Sequence, residues 1–424
     1  MSFKPTPEQD QCVEQFATGK RQRIDAYAGA AKTTTLKLIA RSTTKFGTYV
    51  AFNKSIAEAA RAEFPDNVKC STMHSLAYRA VIRHFENATK LTGSVNGGFL
   101  AMKLDLKTRE LAPGFIVRPR AWGFLLSETI KRWQRSGRDR IGPWDVPTDG
   151  KIGTLPDELL TKVKIMVANE ATGVWQKMID PDSDLPLGHD GYLKLWALTK
   201  PTLPGEFILL DEAQDTNGVV LELMRHQTAQ TIAVGDRLQQ IYEWRGAKNA
   251  MVELETDLET RLSQSFRFGA AIAAHATSIL ECLGETIPLR GNPAMPGSIG
   301  AVVAPRAMLF RTNGRLIEEL FASLGEGKRP HIIGGVSEIM QYVNGAERLK
   351  LGQSVDSPLE FFGFRDWAEV QMISDSEDGT PELRRWVRLI DTHGTQKLRA
   401  ALERLPKEEA GADVILSTGH KSKG

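Results

Sequence analysis

Residues 26–33 of this 424-residue chain read Ala26-Tyr27-Ala28-Gly29-Ala30-Ala31-Lys32-Thr33, and they decide its fold class. A strand-like run at 23–28 leads into this segment, and a helical pattern at 33–43 leaves it. Small residues between a strand and a helix let backbone N–H groups approach phosphate oxygens, and the helix N-terminus favours an anion there. In such a loop, Lys32 contacts the β- and γ-phosphates of a nucleotide and the Thr33 hydroxyl holds Mg²⁺.

The loop departs from the common phosphate-binding pattern at two positions. Ala26 and Ala31 stand where that pattern has glycine. If position 31 needs a backbone conformation restricted to glycine, the Ala31 methyl group obstructs the loop. The alternative interpretation is a turn of small residues followed by an ordinary surface lysine.

A second motif joins a buried strand to a cluster of acids. The apolar run Phe207–Leu210 is typical of a strand covered on both faces, and Asp211-Glu212-Ala213-Gln214-Asp215 follows it directly. Carboxylates at the end of a buried strand are costly unless they are paired or bind a metal. We expect Asp211 to hold Mg²⁺ and Glu212 to deprotonate an attacking water. The alternative is a helix N-cap, which also favours acids.

Composition excludes several classes of protein. The 54 basic and 52 acidic side chains nearly cancel, so any nucleic-acid surface must be local. Three separate cysteines form neither a zinc-binding pattern nor a disulfide framework. With no signal-peptide core and no apolar run of about 18 residues, we expect a soluble cytoplasmic protein, nuclear in a eukaryote, that has no membrane partner.

Strand-like runs alternate with helical patterns along much of the chain. This alternation predicts an α/β fold with a parallel sheet and helices on both faces, with ligands at the carboxyl ends of the strands. Two stretches, near 90–200 and 326–411, have mostly helical patterns and are interpreted as insertions.

Together with several shorter segments, these two motifs resemble the helicases of superfamily 1A, the UvrD/PcrA/Rep type. The resemblance covers nearly the whole chain, and the shared order of its motifs makes it specific. The further matching segments are Pro5–Gln9 (Q motif), Ala51–Ala57 (motif Ia), Ser71–Ser75 (motif Ib), Val234–Ala247 (motif III), Leu262–Arg267 (motif IV), Leu309–Asn313 (a motif of the second motor domain) and Ser417–Gly424 (motif V). Phe52–Ala57, His189–Trp196 and Gln264–Gly269 are similar to the F-box DNA helicase branch and its bacterial and phage relatives.

The resemblance implies two RecA-like P-loop motor domains, each carrying an insertion. The implied divisions are 1–89 and 201–261 (motor domain 1A), 90–200 (insertion 1B), 262–325 and 412–424 (motor domain 2A) and 326–411 (a 2B-like insertion). Because the chain stops inside motif V, we expect the second motor domain to be incomplete.

The family also implies a nucleotide site for ATP and Mg²⁺. Gln239 would sense the γ-phosphate, Arg267 would stabilise the transition state, Phe266 would pack on adenine and Gln9 would read it. The implied catalytic residues are Lys32, Asp211, Glu212, Gln239 and Arg267; the nucleotide-binding residues are Gln9, Ala28, Gly29, Ala30, Ala31, Lys32, Thr33, Thr34, Phe266 and Arg267; and the metal ligands are Thr33 and Asp211.

On the DNA side, an aromatic residue followed by Arg-Gly suits base stacking, and Trp244 is the leading candidate. Core packing of Trp244 and capping or core packing of His74 are the alternatives. The implied DNA-binding residues are Phe52, Asn53, Lys54, Thr72, His74, Trp244, Arg245, Thr312, Asn313, Thr418 and His420. A basic run with Trp122 and Trp133 could track a phosphate backbone, or it could be a solvated helix face whose aromatic side chains pack inward.

The resemblance therefore implies an ATP-dependent helicase or translocase that moves 3′ to 5′ on single-stranded DNA, acts on tailed duplexes, works as a monomer and serves repair, recombination or replication alongside proteins of those processes. The alternative is a nucleotide-gated module that binds single-stranded DNA with little turnover, motivated by Ala31 and by the position of the chain's end. A small-molecule kinase would leave the paired carboxylates, Gln239 and Trp244 without a role.

Overall fold

The structure, a computed structural model, describes residues 4–148, 151–241, 248–355, 357–376 and 379–422. Its strands are β1 (Gln22–Ala26), β2 (Gly47–Ala51), β3 (Val68–Thr72), β4 (Arg109–Ala112), β5 (Phe115–Val117), β6 (Phe207–Leu210), β7 (Gln230–Gly235), β8 (Leu258–Leu262), β9 (Ala307–Phe310), β10 (Pro330–Ile332) and β11 (Val414–Thr418). Its α-helices are α1 (Pro7–Ala17), α2 (Lys32–Arg41), α3 (Lys54–Glu63), α4 (Met73–Val81), α5 (Thr89–Thr92), α6 (Gly97–Lys103), α7 (Pro119–Gln134), α8 (Asp157–Ile179), α9 (Gly188–Ala197), α10 (Gly218–Arg225), α11 (Ala250–Glu253), α12 (Ala270–Cys282), α13 (Asn313–Gly325), α14 (Ser337–Lys350), α15 (Trp367–Asp375), α16 (Pro381–His393) and α17 (Thr395–Glu403).

The chain divides into two compact units. The first contains Met1–Gly93, Lys131–Arg140 and Met178–Ala301, and the second contains Ser94–Ile130, Ile141–Lys177 and Val302–Gly424. Residues 262–301, which the sequence suggested as the start of motor domain 2A, lie in the first unit. Two contacts connect this segment to helix α1 of the first unit: Ser263 donates its backbone N–H to Glu8, and Arg290 forms an ion pair with the same carboxylate.

The first unit is built on a six-stranded parallel sheet in the order β3-β2-β6-β7-β1-β8. Every pairing in it is parallel, so the carboxyl ends of all six strands meet at one edge. The predicted α/β fold with a parallel sheet is therefore confirmed. Its core is formed by apolar residues of the central strands, among them Ile24, Tyr49, Phe207 and Ile232, all of which are fully buried.

Helices α3 and α4, which follow β2 and β3, begin where a polar side chain accepts a free N–H group of the first turn. Asn53 caps α3 and Thr72 caps α4 in this way. At α1, Thr6 and Gln9 form a reciprocal capping box, and Pro7 supplies the preset φ of the first turn. These caps place the start of each helix directly at the sheet's carboxyl edge.

The second unit contains a three-stranded parallel sheet in the order β10-β11-β9. Helices α13 to α17 form its main core with the strands, and Tyr342 stacks on Trp386 at a centroid distance of 3.8 Å within it. Residues 333–403 are mostly helical, as predicted for the second insertion. In the first predicted insertion, a hairpin of β4 and β5 accompanies helices α6, α7 and α8.

The aromatic residues of the first insertion's basic run pack inward. Trp122 is fully buried and donates its indole N–H to Glu170 at 2.8 Å, and Trp133 is 2 % exposed. Arg120 donates to the carbonyl oxygen of Phe362 at 3.0 Å, and burial lowers the pKa of its guanidinium to about 10. The aromatic side chains of this segment therefore pack inward, which is the second of the two interpretations given for the basic run. Arg120 makes a hydrogen bond within the protein.

Glu285 joins several parts of the first unit near the carboxyl end of β1. Its carboxylate, 4 % exposed, accepts hydrogen bonds from Arg237, from Arg261 and from the hydroxyl group of Tyr27. Burial alone would raise the pKa of this carboxyl, but the contacts with Arg261 and Arg237 lower it below its ordinary value. Glu285 is thus ionised in the folded protein at neutral pH.

We expect Glu285→Gln to lower the free energy of unfolding by about 2 kcal/mol at pH 7, because two guanidinium groups lose their shared counter-charge. A depressed folded pKa stabilises the protein above the unfolded value of about 4.3, and this contribution is lost as the pH falls through the folded value. Urea denaturation of both proteins from pH 7 to pH 3 measures this, and the difference should shrink on the acid side. A difference that is constant with pH would contradict the assignment.

Candidate nucleotide-binding site

The loop between β1 and α2 has the shape of a phosphate-binding loop. Gly29 has φ +73°, and Ala31, the N-cap position of α2, has φ +56° and ψ +41°. Lys32 and Thr33 then begin the helix, so its N-terminal N–H groups face the loop. The loop therefore lies between a strand and a helix N-terminus, as the sequence predicted, and phosphate binding by it stays a prediction.

Ala31 adopts the left-handed conformation that the sequence could not reveal. A residue with a Cβ pays about 1–2 kcal/mol to adopt this conformation, and glycine does not. The backbone N–H of Thr35 and its hydroxyl group both donate to the carbonyl oxygen of Ala31, at 3.0 and 3.1 Å. These bonds hold the strained residue in place.

Asp211 lies directly after β6, at its carboxyl end, and is 5 % exposed. One of its oxygens, Oδ2, accepts hydrogen bonds from the hydroxyl groups of Tyr49 at 2.7 Å and Thr33 at 3.1 Å. Burial raises the pKa of this carboxyl, and the neighbouring charge of Glu212 raises it further. The two predicted metal ligands are therefore in direct contact.

The donor set fits Mg²⁺. This ion prefers oxygen ligands and is usually held by one or two carboxylates plus a substrate phosphate. A cation beside Asp211 would offset the cost of burying its charge. Thr33 and Asp211 are the residues that would hold it. Among the described residues, no group of three or more histidine, cysteine or acidic side chains is arranged as a complete metal site.

Glu212, the next residue, is held beside the loop lysine. Its Oε1 lies 3.1 Å from Nζ of Lys32, and both side chains are largely buried. Its backbone is also left-handed, with φ +51°. Such strain in a non-glycine residue persists only where the surroundings enforce it, and it is concentrated at functional sites.

A buried chain of hydrogen bonds, which the sequence did not predict, connects Glu212 to Gln239. Gln214, which is fully buried, donates to Oε2 of Glu212 at 2.5 Å and accepts the backbone N–H of Asp236 at 3.1 Å. Oδ2 of Asp236 then accepts from the side-chain amide of Gln239 at 2.6 Å. Burial raises the pKa of the Asp236 carboxyl. Gln214 lies in the acidic segment 211–215 and Asp236 in the segment Val234–Ala247. Their positions in these two motifs were the sequence signal that could have identified them as site residues.

The segment 265–267 lies directly against the phosphate loop. The backbone N–H of Phe266 donates to the carbonyl oxygen of Gly29 at 2.9 Å. A Cβ added to Gly29 would lie 2.5 Å from Oγ of Ser265 and 2.7 Å from Cβ of Arg267, so only glycine permits this approach. The structure therefore brings Phe266 and Arg267, both exposed, to the loop predicted to bind nucleotide.

Gln9 is used inside the protein. Its Oε1 accepts the backbone N–H of Thr6 at 3.0 Å, and its Nε2 donates to the hydroxyl group of Thr35 at 3.0 Å. With 1 % exposure, its side chain braces the first turn of α2. Contact with adenine stays a prediction for Gln9, as do the nucleotide contacts of Ala28, Ala30 and Thr34.

Five candidate DNA-binding residues follow two neighbouring strands of the six-stranded sheet. Phe52, Asn53 and Lys54 follow β2, and Thr72 and His74 lie at the end of β3. The side-chain oxygens of Asn53 and Thr72 cap helices, whereas Phe52 is 42 % exposed and the His74 side chain is also 42 % exposed. His74 is therefore not a core histidine.

In the second unit, the remaining described candidates also lie at strand ends. Thr312 caps α13, with Asn313 as the first helical residue, and Thr418 ends β11, two residues before the exposed His420. The N–H of Gly419 donates to the carbonyl oxygen of Phe310, which joins the two strand ends. Trp244, the stacking candidate, and Arg245 lie outside the described residues.

Comparisons with known proteins show that the chain is similar to DNA helicases. The UvrD/REP helicase N-terminal domain model matches residues 202–258, which contain β6, β7 and the acids between them. F-box DNA helicase 1 of Gallus gallus is 30 % identical over 454 aligned residues, covering 99 % of this chain and 44 % of the relative. F-box DNA helicase protein 1 of Schizosaccharomyces pombe is 28 % identical, covering 99 % of this chain and 51 % of the relative.

A shorter match, 30 % identical over 174 residues, is the probable DNA helicase II homolog of Mycoplasma pneumoniae. The chain spans about half the length of the F-box relatives it matches. The fold and the loop fit a RecA-like P-loop motor domain, and these matches show that the chain is similar to the UvrD-like helicases of superfamily 1. Among the described residues, no helix has both the length and the apolar character that crossing a membrane requires.

We expect Gly235→Ala to disturb the chain of hydrogen bonds that joins Glu212 to Gln239. The new methyl group would lie 2.3 Å from Oε1 of Gln214 and 3.1 Å from Met251, so the buried amide must move. The expected cost is roughly 2 kcal/mol of stability from overpacking, measured by urea denaturation. The matched control is Gly173→Ala inside α8, where no atom lies within 4 Å and a gain of up to about 1 kcal/mol is expected. Equal stability of the two variants would contradict this packing.

Proposed function

We propose that this chain is the motor of an ATP-dependent DNA helicase or translocase that moves 3′ to 5′ on single-stranded DNA. The observation that carries the proposal is the contact of Thr33 and Asp211 beside the Lys32–Glu212 ion pair, at the sheet edge where β2 and β3 also end. The candidate nucleotide site and the candidate DNA-binding residues lie on the same sheet. Nucleotide binding and DNA binding are therefore proposed to influence each other. Repair, recombination or replication is the proposed setting, with proteins of those processes as partners and a monomer as the working unit.

Each residue of the nucleotide site has a distinct proposed task. Lys32 binds the β- and γ-phosphates, and Glu212 takes the proton from the attacking water. Arg267 stabilises the negative charge that develops in the transition state. Thr33 and Asp211 would hold Mg²⁺, which supplies positive charge next to the phosphates. Gln239 passes the state of the γ-phosphate to the adjoining segment 242–247.

On the DNA side, the proposed interactions ignore sequence. Phe52, which is 42 % exposed, and Trp244 are proposed to stack on bases, at roughly 1–3 kcal/mol per base. Lys54, Arg245 and His74 contact phosphates or hold the backbone in register. Asn53, Thr72, Thr312, Asn313, Thr418 and His420 are proposed to contribute polar backbone contacts from the strand ends.

We expect ATP hydrolysis that is stimulated by single-stranded DNA and that Lys32→Ala lowers by at least about 100-fold, because the phosphate contact is made in the transition state. Lys37→Ala is the matched control: Lys37 lies on the same helix, forms an ion pair with Glu63 at 2.6 Å, and should be dispensable for turnover. Release of inorganic phosphate measures both. Normal turnover in Lys32→Ala would contradict the proposal.

The direction of movement needs a separate measurement. Strand displacement is compared on duplexes with a 3′ tail and duplexes with a 5′ tail, at equal tail length. Unwinding of the 3′-tailed duplex supports 3′-to-5′ movement, and a preference for the 5′ tail would contradict it.

A second candidate function is a nucleotide-gated module that binds single-stranded DNA with little turnover. The left-handed Ala31 favours it, because the loop must keep a non-glycine residue in a conformation that costs about 1–2 kcal/mol. This module would show DNA affinity that responds to ATP but no DNA-stimulated phosphate release. In that case Ala31→Gly, which removes the strain, should restore turnover.

A further inference from the structure

Helix α9 carries an acid that bridges two other segments of the first unit. Oδ2 of Asp190 accepts a hydrogen bond from Nε of Arg135 at 2.7 Å, and Oδ1 lies 3.8 Å from Nε2 of His74. Arg135 comes directly after α7, and His74 lies in the first turn of α4. One carboxylate therefore connects the end of α7 to a candidate DNA-binding residue.

The same helix holds the His74 ring on a second side. Tyr192, which is 4 % exposed, presents its ring edge-on to His74 at 6.0 Å and to Tyr78 at 5.6 Å. Its hydroxyl group lies 3.1 Å from Nδ1 of His189, within hydrogen-bonding distance. Burial, followed by the charge of Asp190, raises the pKa of Tyr192 to about 12, so it stays neutral.

Asp190 keeps its charge in this position. Burial alone would raise the pKa of its carboxyl, but the contacts with His74 and Arg135 lower it well below the ordinary value. The carboxylate is thus ionised at neutral pH, and it offers one oxygen atom to each neighbour. The His74 side chain remains 42 % exposed between these contacts, so its ring lies beside Asp190 and Tyr192 and is still accessible.

We propose that Asp190 is a positioning residue for DNA binding: it fixes the His74 ring at the carboxyl end of β3 and ties it to Arg135. This inference rests on the proposed function, and it adds a residue that none of the motifs assigned to DNA contains. Orienting a side chain before binding lowers the entropy lost when the ligand arrives, which corresponds to about three- to tenfold in affinity.

The test is Asp190→Asn, which keeps the size of the side chain and an oxygen for Arg135 but removes the charge beside His74. We expect the concentration of single-stranded DNA at half-maximal ATPase stimulation to rise about three- to tenfold. The kcat at saturating DNA and the KM for ATP should not change, because Asp190 touches no nucleotide-site residue. A merely structural role would alter all three quantities together.

A matched control exists on α10. Glu222 contacts Arg225 at 3.3 Å and His226 at 3.5 Å, the same combination of groups as at Asp190, on a helix without a candidate DNA-binding residue. Glu222→Gln should leave the half-saturating DNA concentration unchanged. The double variant His74→Ala/Asp190→Asn should bind DNA no more weakly than His74→Ala, because Asp190 acts through His74.

The outcomes separate this inference from the proposed function. A wild-type ATPase that DNA stimulates, together with an unchanged half-saturating concentration in Asp190→Asn, overturns the role of Asp190 and leaves the proposed function standing. Additive losses in the double variant overturn it as well. A wild-type protein that fails to bind a labelled oligonucleotide by fluorescence anisotropy contradicts the proposed function itself.

Thermal melting checks whether Asp190→Asn folds. If its melting temperature falls sharply, Asp190→Glu replaces it, because that variant keeps the carboxylate and changes only its reach. The longer side chain should still raise the half-saturating DNA concentration, by less than Asp190→Asn would, and the effect should vanish in a His74→Ala background. An effect of Asp190→Glu that persists without His74 overturns the proposal.

Discussion

The arrangement of the first unit depends on one buried carboxylate, that of Asp211 at the end of β6. This carboxylate is almost completely buried, so its charge is tolerated only because the hydroxyl groups of Thr33 and Tyr49 donate to it and Lys32 lies nearby. The hydrogen bonds to Asp211 form only when the start of α2, which follows β1, and the middle of β2 lie next to the end of β6. The parallel sheet brings these three strands into register, and the phosphate loop follows from that register.

Strain accompanies this arrangement at two neighbouring points. Ala31 and Glu212 are both left-handed without being glycine, and both lie next to groups that we propose bind phosphate or activate water. The backbone of Glu212 stays in this conformation while its side chain is bonded to Lys32 and Gln214. We propose that the hydrogen bonds from Gln214 through Asp236 let a change at Glu212 reach Gln239, so one buried amide couples the two motifs.

Much of the fold could be predicted because buried parallel strands leave a simple pattern. The apolar run Phe207–Leu210 was predicted as a buried strand with the bounds that the structure has. Strand β8 was missed because Leu258–Leu262 lies at the sheet edge and alternates leucine or threonine with charged residues. The conformation of Ala31 and the contact of Asp190 with His74 could not be predicted, because both depend on segments brought together only by folding.

The measurement that most directly tests the proposed coupling is the effect of a non-hydrolysable ATP analogue with Mg²⁺ on the affinity for single-stranded DNA. Fluorescence anisotropy gives the Kd for DNA with and without the analogue, in wild type and in Gln214→Leu. We expect the analogue to change the Kd at least about fivefold in wild type and much less in Gln214→Leu, since coupling free energies of 1–3 kcal/mol are typical. The same change in both proteins, or no change in wild type, would contradict coupling through Gln214.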